Sequence, residues 1–252
     1  MPHTKRIAHV SYDGTDYHGF SISPGKSTIQ ETIEEVLSKI IDDTSGSSHI
    51  DFTSRTDRGV HAMDQVITFF MPDFFDDQKL LFILNQRLPS DIRFQQLSTV
   101  PDSYLLRDKI LTKLYRYTLS NDCKNPFMSR YAWLVPVLPE IEKLNSFLQL
   151  MTGEHDFLTL AKESSRYQST VCRIDRIDCH QKSLSELIVT IEGNRFLYNM
   201  VRRIVGFTVF LAKNHKTVSS SFEELTSLYL SQTNMRAPAC GLTLLKVFLD
   251  DN

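Results

Sequence analysis

Apolar residues recur along this chain in two rhythms, and the switches between them predict its elements. R-I-A-H-V-S-Y (6–12) has the apolar, β-branched and aromatic character of a strand, and the turn pair Asp13-Gly14 closes it. Residues 28–41 change to helical spacing, with Ile29, Ile33, Val36, Leu37 and Ile40 on one face. Ser27 with Gln30 forms a capping box for this helix, and Glu31, Glu34 and Glu35 suit the positive end of its dipole. H-I-D-F-T (49–53) and Q-V-I-T-F-F-M (65–71) read as strands. Residues 77–88 read as a helix stopped by Pro89, and I-R-F-Q-Q-L (92–97) as another strand.

A similar order returns in the second half. L-Y-R-Y-T-L (114–119) is a strand, and residues 140–151 a helix with Ile141, Leu144, Phe147, Leu148 and Met151 on one face and Gly153 past its end. Two β-rich runs, 171–180 and 186–192, lead into a long apolar helix over 196–213. A helix over about 221–231 and the strand G-L-T-L-L-K-V-F-L (241–249) end the chain. Strands and helices alternate without a regular βαβ beat, which predicts an α+β fold with a largely antiparallel sheet. The element order suits two similar α/β halves, residues 1–103 and 104–252.

Composition bounds what such a fold can be. The chain has 252 residues, 41% hydrophobic and 23% charged, enough for a sizeable core and too apolar for wholesale disorder. No apolar run is long enough to span a bilayer, and no secretory leader is expected ahead of the first strand. Cys123, Cys172, Cys179 and Cys240 form no C-x-x-C pair, so reduced thiols and a cytoplasmic location are expected, and no zinc site. The formal net charge of −2 does not announce a polyanion partner. The halves differ, however: residues 1–103 carry 9 Lys+Arg against 15 Asp+Glu, a balance of −6, and residues 104–252 carry 19 against 15, a balance of +4. A basic surface in the second half is compatible with that asymmetry.

Candidate chemistry concentrates in S-R-T-D-R-G-V-H-A (54–62), the loop between two expected strands. Asp57 stands between Arg55 and Arg58, with Gly59 next and His61 close behind. A turn needs the aspartate and the glycine but not the arginines. Neighbouring cations keep a carboxylate ionised, and an ionised carboxylate is a better nucleophile than proton donor. The same string also suits an Asx-turn with solvated arginines. No dinucleotide-binding, P-loop or zinc-protease motif occurs.

Three later stretches add to the picture. L-T-K-L-Y-R-Y-T-L interleaves Lys113, Tyr115, Arg116 and Tyr117 on one strand, as a nucleobase platform requires. N-R-F-L-Y-N-M-V-R-R-I-V-G (194–206) sets Arg202 and Arg203 within an apolar helix, and a buried arginine needs an anion, for which Asp57 is a candidate. C-G-L-T-L-L (240–245) is an apolar strand able to close a pocket.

Together these segments resemble the TruA-type tRNA pseudouridine synthases. The family's G-R-T-D-x-G-V-H stands here as S-R-T-D-R-G-V-H, its K-x-Y-x-Y-like strand as L-Y-R-Y, its M-V-R-x-I-V-G helix as M-V-R-R-I-V-G, and its C-terminal G-L as Gly241-Leu242. The resemblance implies a pseudouridine synthase fold: two α/β halves around a long, largely antiparallel mixed sheet, with the active-site cleft between them. It implies isomerisation of uridine to pseudouridine in tRNA at positions 38, 39 and 40 of the anticodon stem-loop, by a cytoplasmic homodimer without cofactor or metal. Asp57 resembles the catalytic nucleophile, Arg202 its ion-pair partner, and Tyr115 the ring that stacks on uracil. Arg55 resembles the arginine that helps extrude the base, and Leu242 the lid on its other side. Arg58, His61 and Arg107 are further expected substrate contacts. The chain departs from the pattern at Phe20-Ser21-Ile22-Ser23, where the family usually carries W-Q-R-Q. It departs again at Y-L-L-R-D-K-I (104–110), where only Arg107 is clearly kept of F-H-A-R-F-S-A. Two rival readings are a catalytically silent tRNA-binding protein of the same fold, and a metal-independent hydrolase using Asp57 and His61.

Overall fold

The computed structural model describes residues 3–41, 49–162, 168–214, 221–230 and 235–250. The chain divides into two compact units, Met1–Leu111 with Leu244–Asn252, and Thr112–Thr243. The sequence places the border at 103/104, eight residues earlier. Residues 104–111 stay with the first unit because Lys5 Nζ donates to the Tyr104 carbonyl (2.8 Å) and the Lys109 carbonyl accepts from Asp250 N–H (2.8 Å).

The first unit is built on strands β1 (His3–Tyr12), β2 (Asp51–Phe52), β3 (His61–Pro72) and β4 (Ile92–Val100) and helices α1 (Ile29–Ile41) and α2 (Asp77–Arg87). β1 lies between β4 and β3, antiparallel to both, and β2 adds antiparallel to β3. β3 is the most buried of these strands, which is why it reads as a near-continuous apolar run. On α1 the residues at helical spacing, Ile29, Ile33, Val36 and Leu37, are buried. Its cap differs from expectation: Thr28, not Ser27, accepts the Glu31 N–H on its hydroxyl (3.3 Å). Gln30 turns away from that role, because its amide instead bonds Ile22 N and the Glu34 carboxylate.

The second unit carries β5 (Ile110–Ser120), β6 (Trp133–Leu134), β7 (Gly153–Asp156), β8 (Val171–Ser183) and β9 (Glu186–Gly193), with helices α3 (Ile141–Gln149), α4 (Met200–Asn214) and α5 (Phe222–Leu230). Its strands run in the order β5-β9-β8-β7, antiparallel throughout, and only β6 joins β5 in parallel. β8 shows why strict alternation fails there. Pairing slips between Ile174 and Arg176, so Ile174 and Ile177 are both buried although three residues apart. The last strand, β10 (Leu242–Leu249), follows a helical turn at Ala239–Gly241 and neighbours β3. The expected end of α5 at 231 falls outside the described residues.

Both units dock a helix on a strand with one asparagine. In the first, Asn85 of α2 donates to the Phe94 carbonyl (2.8 Å) and accepts from its N–H (2.9 Å), covering the outer edge of β4. In the second, Asn145 of α3 does the same at Cys179 (2.8 and 2.7 Å), beyond the reach of β7. The expected α+β architecture with largely antiparallel pairing is what forms. α4 is shorter than the apolar pattern suggests. It begins at Met200 and not at 196, because Asn199 takes a left-handed φ of 62° that no helix can include.

Candidate active site

The loop 53–60 is fixed by bonds on both sides of Asp57. Gln65 of β3, fully buried, receives the Thr53 hydroxyl (2.7 Å) and Ser54 N–H (3.1 Å) on its amide oxygen. Its amide nitrogen donates to the Ser54 carbonyl (2.6 Å). Thr56 is held twice: its hydroxyl lies 2.7 Å from the Tyr12 hydroxyl, and its carbonyl accepts from Phe20 N–H (3.1 Å). Val60 N–H then donates to the Asp57 carbonyl (3.1 Å), with Gly59 at φ 76° in the third position of the turn. That position demands glycine, so the Asp57–Val60 turn is a main-chain device. Asp57 is half-buried, and Arg55 and Arg58 are exposed on either side of it.

Two glycines let the preceding loop press against this turn. A Cβ on Gly14 would sit 2.0 Å from the Val60 carbonyl oxygen. One on Gly19, itself at φ 100°, would sit 2.8 Å from the Thr56 oxygen and 3.2 Å from Arg58 N. Phe20, where the family carries tryptophan, is buried with its ring against Tyr12 (5.9 Å) and Phe52 (4.7 Å). Ile22 is half-exposed, standing where a charged side chain is usual.

His61 is buried at the start of β3. Its Nδ1 lies 3.0 Å from the Asp13 carboxylate and 3.1 Å from Gly14 N. The ring therefore fastens the 13–14 turn behind the loop. Arg107 is exposed on a helical turn at Leu106–Lys109.

The second unit gathers the later motifs. Tyr115 is buried on β5 and meets Phe196 edge to face (5.1 Å, 84°). Two residues on, Tyr117 is fully buried, and its hydroxyl donates to the Pro238 carbonyl (2.8 Å). Burial, and after it Cys240, push the Tyr117 hydroxyl pKa well up, against the pull of Arg202. Gly241 meets the Tyr117 ring so closely that a Cβ there would lie 2.6 Å from it. Gly241 is thus required by a packed tyrosine, and Leu242, also buried, follows it into β10. Lys113 lies on the same face of β5 as the two tyrosines. Its burial, with Arg195 second, brings the amine down to about 8.

Arg202, on α4, is 8% exposed. Its Nε donates to the Ala237 carbonyl (2.9 Å), its main-chain carbonyl accepts from Ala237 N–H (3.0 Å), and one terminal nitrogen donates to Asn199 Oδ1 (3.2 Å). Gly206, one turn further along, faces the same segment, where a Cβ would lie 1.8 Å from the Met235 carbonyl oxygen. The spacing R-R-I-V-G thereby reads as an arginine that clasps residues 235–238 and a glycine that admits them. Arg203 points elsewhere and donates to the Ala161 carbonyl. Gln65, Asn199 and Phe196 were not singled out from the sequence. The signal for Gln65 was a polar residue opening an apolar strand, and for Asn199 an amide just before a helix.

Among the described residues no group of three or more His, Cys, Asp or Glu could hold a metal ion, and no helix is long and apolar enough to cross a membrane. The family model described as tRNA pseudouridine synthase matches residues 8–106 and 147–250. Among curated relatives, "tRNA pseudouridine synthase A" of Phytoplasma mali (strain AT) is 34% identical over 242 residues, covering 95% of this chain and 96% of its own. The protein of the same name from Brevibacillus brevis is 33% identical, covering 96% and 99%. That from Limosilactobacillus reuteri (strain DSM 20016) is 30% identical, covering 94% and 93%. Matching within both units, the chain belongs to the tRNA pseudouridine synthase family.

Proposed function

We propose that the protein isomerises uridines 38, 39 and 40 of the tRNA anticodon stem-loop, with Asp57 as nucleophile. Family membership makes the reaction the conversion of tRNA uridine to pseudouridine. The observation that carries the Asp57 assignment is the fixed loop. Gln65, Thr56 and the Val60 turn hold the main chain on both sides of that one carboxylate, as a reacting group must be held.

In this reading Arg202 is the ion-pair partner of Asp57, and Tyr115 stacks on the uracil. Leu242 closes the opposite side of the base, and Arg55 takes the place of the flipped nucleotide in the stem. Exposed Arg58 and Arg107 hold phosphate, and His61 supports the loop from behind. The resemblance supports a cytoplasmic homodimer acting on one tRNA, without metal or cofactor. A hydrolase using Asp57 and His61 has less support, because the family match is to tRNA pseudouridine synthases.

The test is incubation with unmodified tRNA transcript, followed by mapping of pseudouridine along it. The wild-type protein should modify positions 38–40 only. Asp57→Asn, nearly the same shape without the nucleophile, should form none while keeping tRNA affinity within about tenfold. Turnover by Asp57→Asn overturns the assignment of the nucleophile. Modification elsewhere overturns the assignment of position.

A further inference from the structure

Asn199 combines two features that a buried amide rarely shows together. It is 6% exposed, and it holds a left-handed φ of 62°. Backbone conformations of that kind cost free energy and collect at ligand sites. Its Oδ1 accepts from two guanidinium groups, Arg202 (3.2 Å) and Arg236 (3.4 Å). These donors fix the orientation of the amide, since a flip would turn the NH2 group toward two cations. The Nδ2 is therefore a buried donor with a fixed direction, and among the described residues it has no hydrogen-bond partner. Buried donors are nearly always satisfied, so one left over next to Arg202 marks a place where something else binds. Two cations on its oxygen also polarise the amide and strengthen the remaining N–H as a donor.

We propose that Asn199 is a substrate-contacting residue whose Nδ2 donates to a carbonyl oxygen of the target uracil. This rests on the reading that Arg202 and Tyr115 border the uridine site. Phe196, three residues before Asn199, touches the Tyr115 ring, and Arg202, one turn after it, donates to the Asn199 oxygen, so the segment 196–202 links the two. A pyrimidine carbonyl is the acceptor that a neutral, directed N–H suits. A phosphate would be met by the guanidinium groups themselves.

The test uses the full-length protein in single turnover with tRNA carrying uridine, 2-thiouridine or 4-thiouridine at the target position. Sulfur is the poorer acceptor, so the wild-type protein should lose about tenfold in rate on one of the two thio-substrates, and which one identifies the oxygen. This arm needs no variant, and equal rates on all three overturn the proposal. Asn199→Asp keeps the shape, tolerates the left-handed backbone and still accepts from Arg202 and Arg236, but presents an acceptor where the donor stood. It should melt close to the wild type, lose on the order of a hundredfold in kcat/KM, and no longer distinguish oxygen from sulfur. A wild-type rate for Asn199→Asp, or a tenfold preference it retains, means that Nδ2 meets only water and overturns the proposal. Asp57→Asn is assayed beside it. An inactive Asp57→Asn with a fully active Asn199→Asp removes this inference alone, and an active Asp57→Asn removes the site reading itself.

Discussion

Gln65 shows how much a single side chain outside the motif decides. Its sequence signal was only a polar opening to an apolar strand, yet it closes three hydrogen bonds to Thr53 and Ser54. Replacing it by leucine leaves buried partners unsatisfied, at about 1–3 kcal/mol each. Gln65→Leu should therefore lower the melting temperature by several degrees, at about 2–4 °C per kcal/mol for a chain of this size. It should also lower kcat more than it raises KM, since Asp57 loses its support while the tRNA surface stays. A variant with unchanged melting and unchanged kcat would show that the loop is held without Gln65. His61 carries the opposite lesson. Its place in S-R-T-D-R-G-V-H suggests a substrate contact, and in the fold its ring is buried beside Asp13 and Gly14. The sequence shows that a histidine stands there and says nothing of which way it faces.

At the level of elements, α4 joins motif to packing. Arg202 and Gly206 stand four apart, so both face residues 235–238. Gly206→Ala would place a methyl within 1.8 Å of the Met235 carbonyl oxygen, and backbone has to move. Overpacking of this kind typically costs about 1–3 kcal/mol. Because the displaced segment carries the Ala237 groups that hold Arg202, activity should fall as well as stability. Thermal melting and single-turnover rates read the two effects, and a fully active, fully stable Gly206→Ala would mean that the close approach is not needed. α1 offers a cleaner comparison. Thr28→Ala removes the hydroxyl that accepts Glu31 N–H and should cost about 1 kcal/mol, while Ser27→Ala should cost little. The reverse ranking in denaturant unfolding would restore Ser27 as the cap.

For the molecule as a whole, buried acidic protons set the alkaline limit of stability. Burial, and after it Asp178, raise the Cys179 thiol to about 12, and burial raises the Tyr117 and Tyr17 hydroxyls well above their ordinary value. The unfolded chain releases these protons first, from about pH 9 for the thiol, whose ordinary value the folded state exceeds. Their contribution to folding stability is thus full below pH 9 and is lost as pH rises toward 12. Lys113, lowered to about 8, acts in the opposite sense, its cost being relieved across the range from 8 to its ordinary 10.5. Melting temperature measured from pH 8 to 11 should fall at the upper end, and Cys179→Ala should fall less steeply than the wild type. An identical slope for the two would remove the thiol from the account.

Element types and most of their bounds were legible in the sequence, because each strand or helix shows one face to a core and its apolar period records that face. The motif residues were legible because their types and order are specific: an aspartate between arginines, tyrosines two apart on a strand, an arginine inside an apolar helix. What the chain's own order could not carry was anything set by a distant partner. The start of α4 depends on the left-handed Asn199, whose side chain answers to Arg202 and Arg236. The phase of β8 depends on a slipped pairing with β9. The border between the units depends on Lys5, 99 residues before Tyr104, and Asp250, 141 residues after Lys109. Local sequence records periodicity and residue chemistry. Hydrogen bonds between segments far apart in the chain exist only once the fold has brought them together, and those bonds decide how His61 and Asn199 are held.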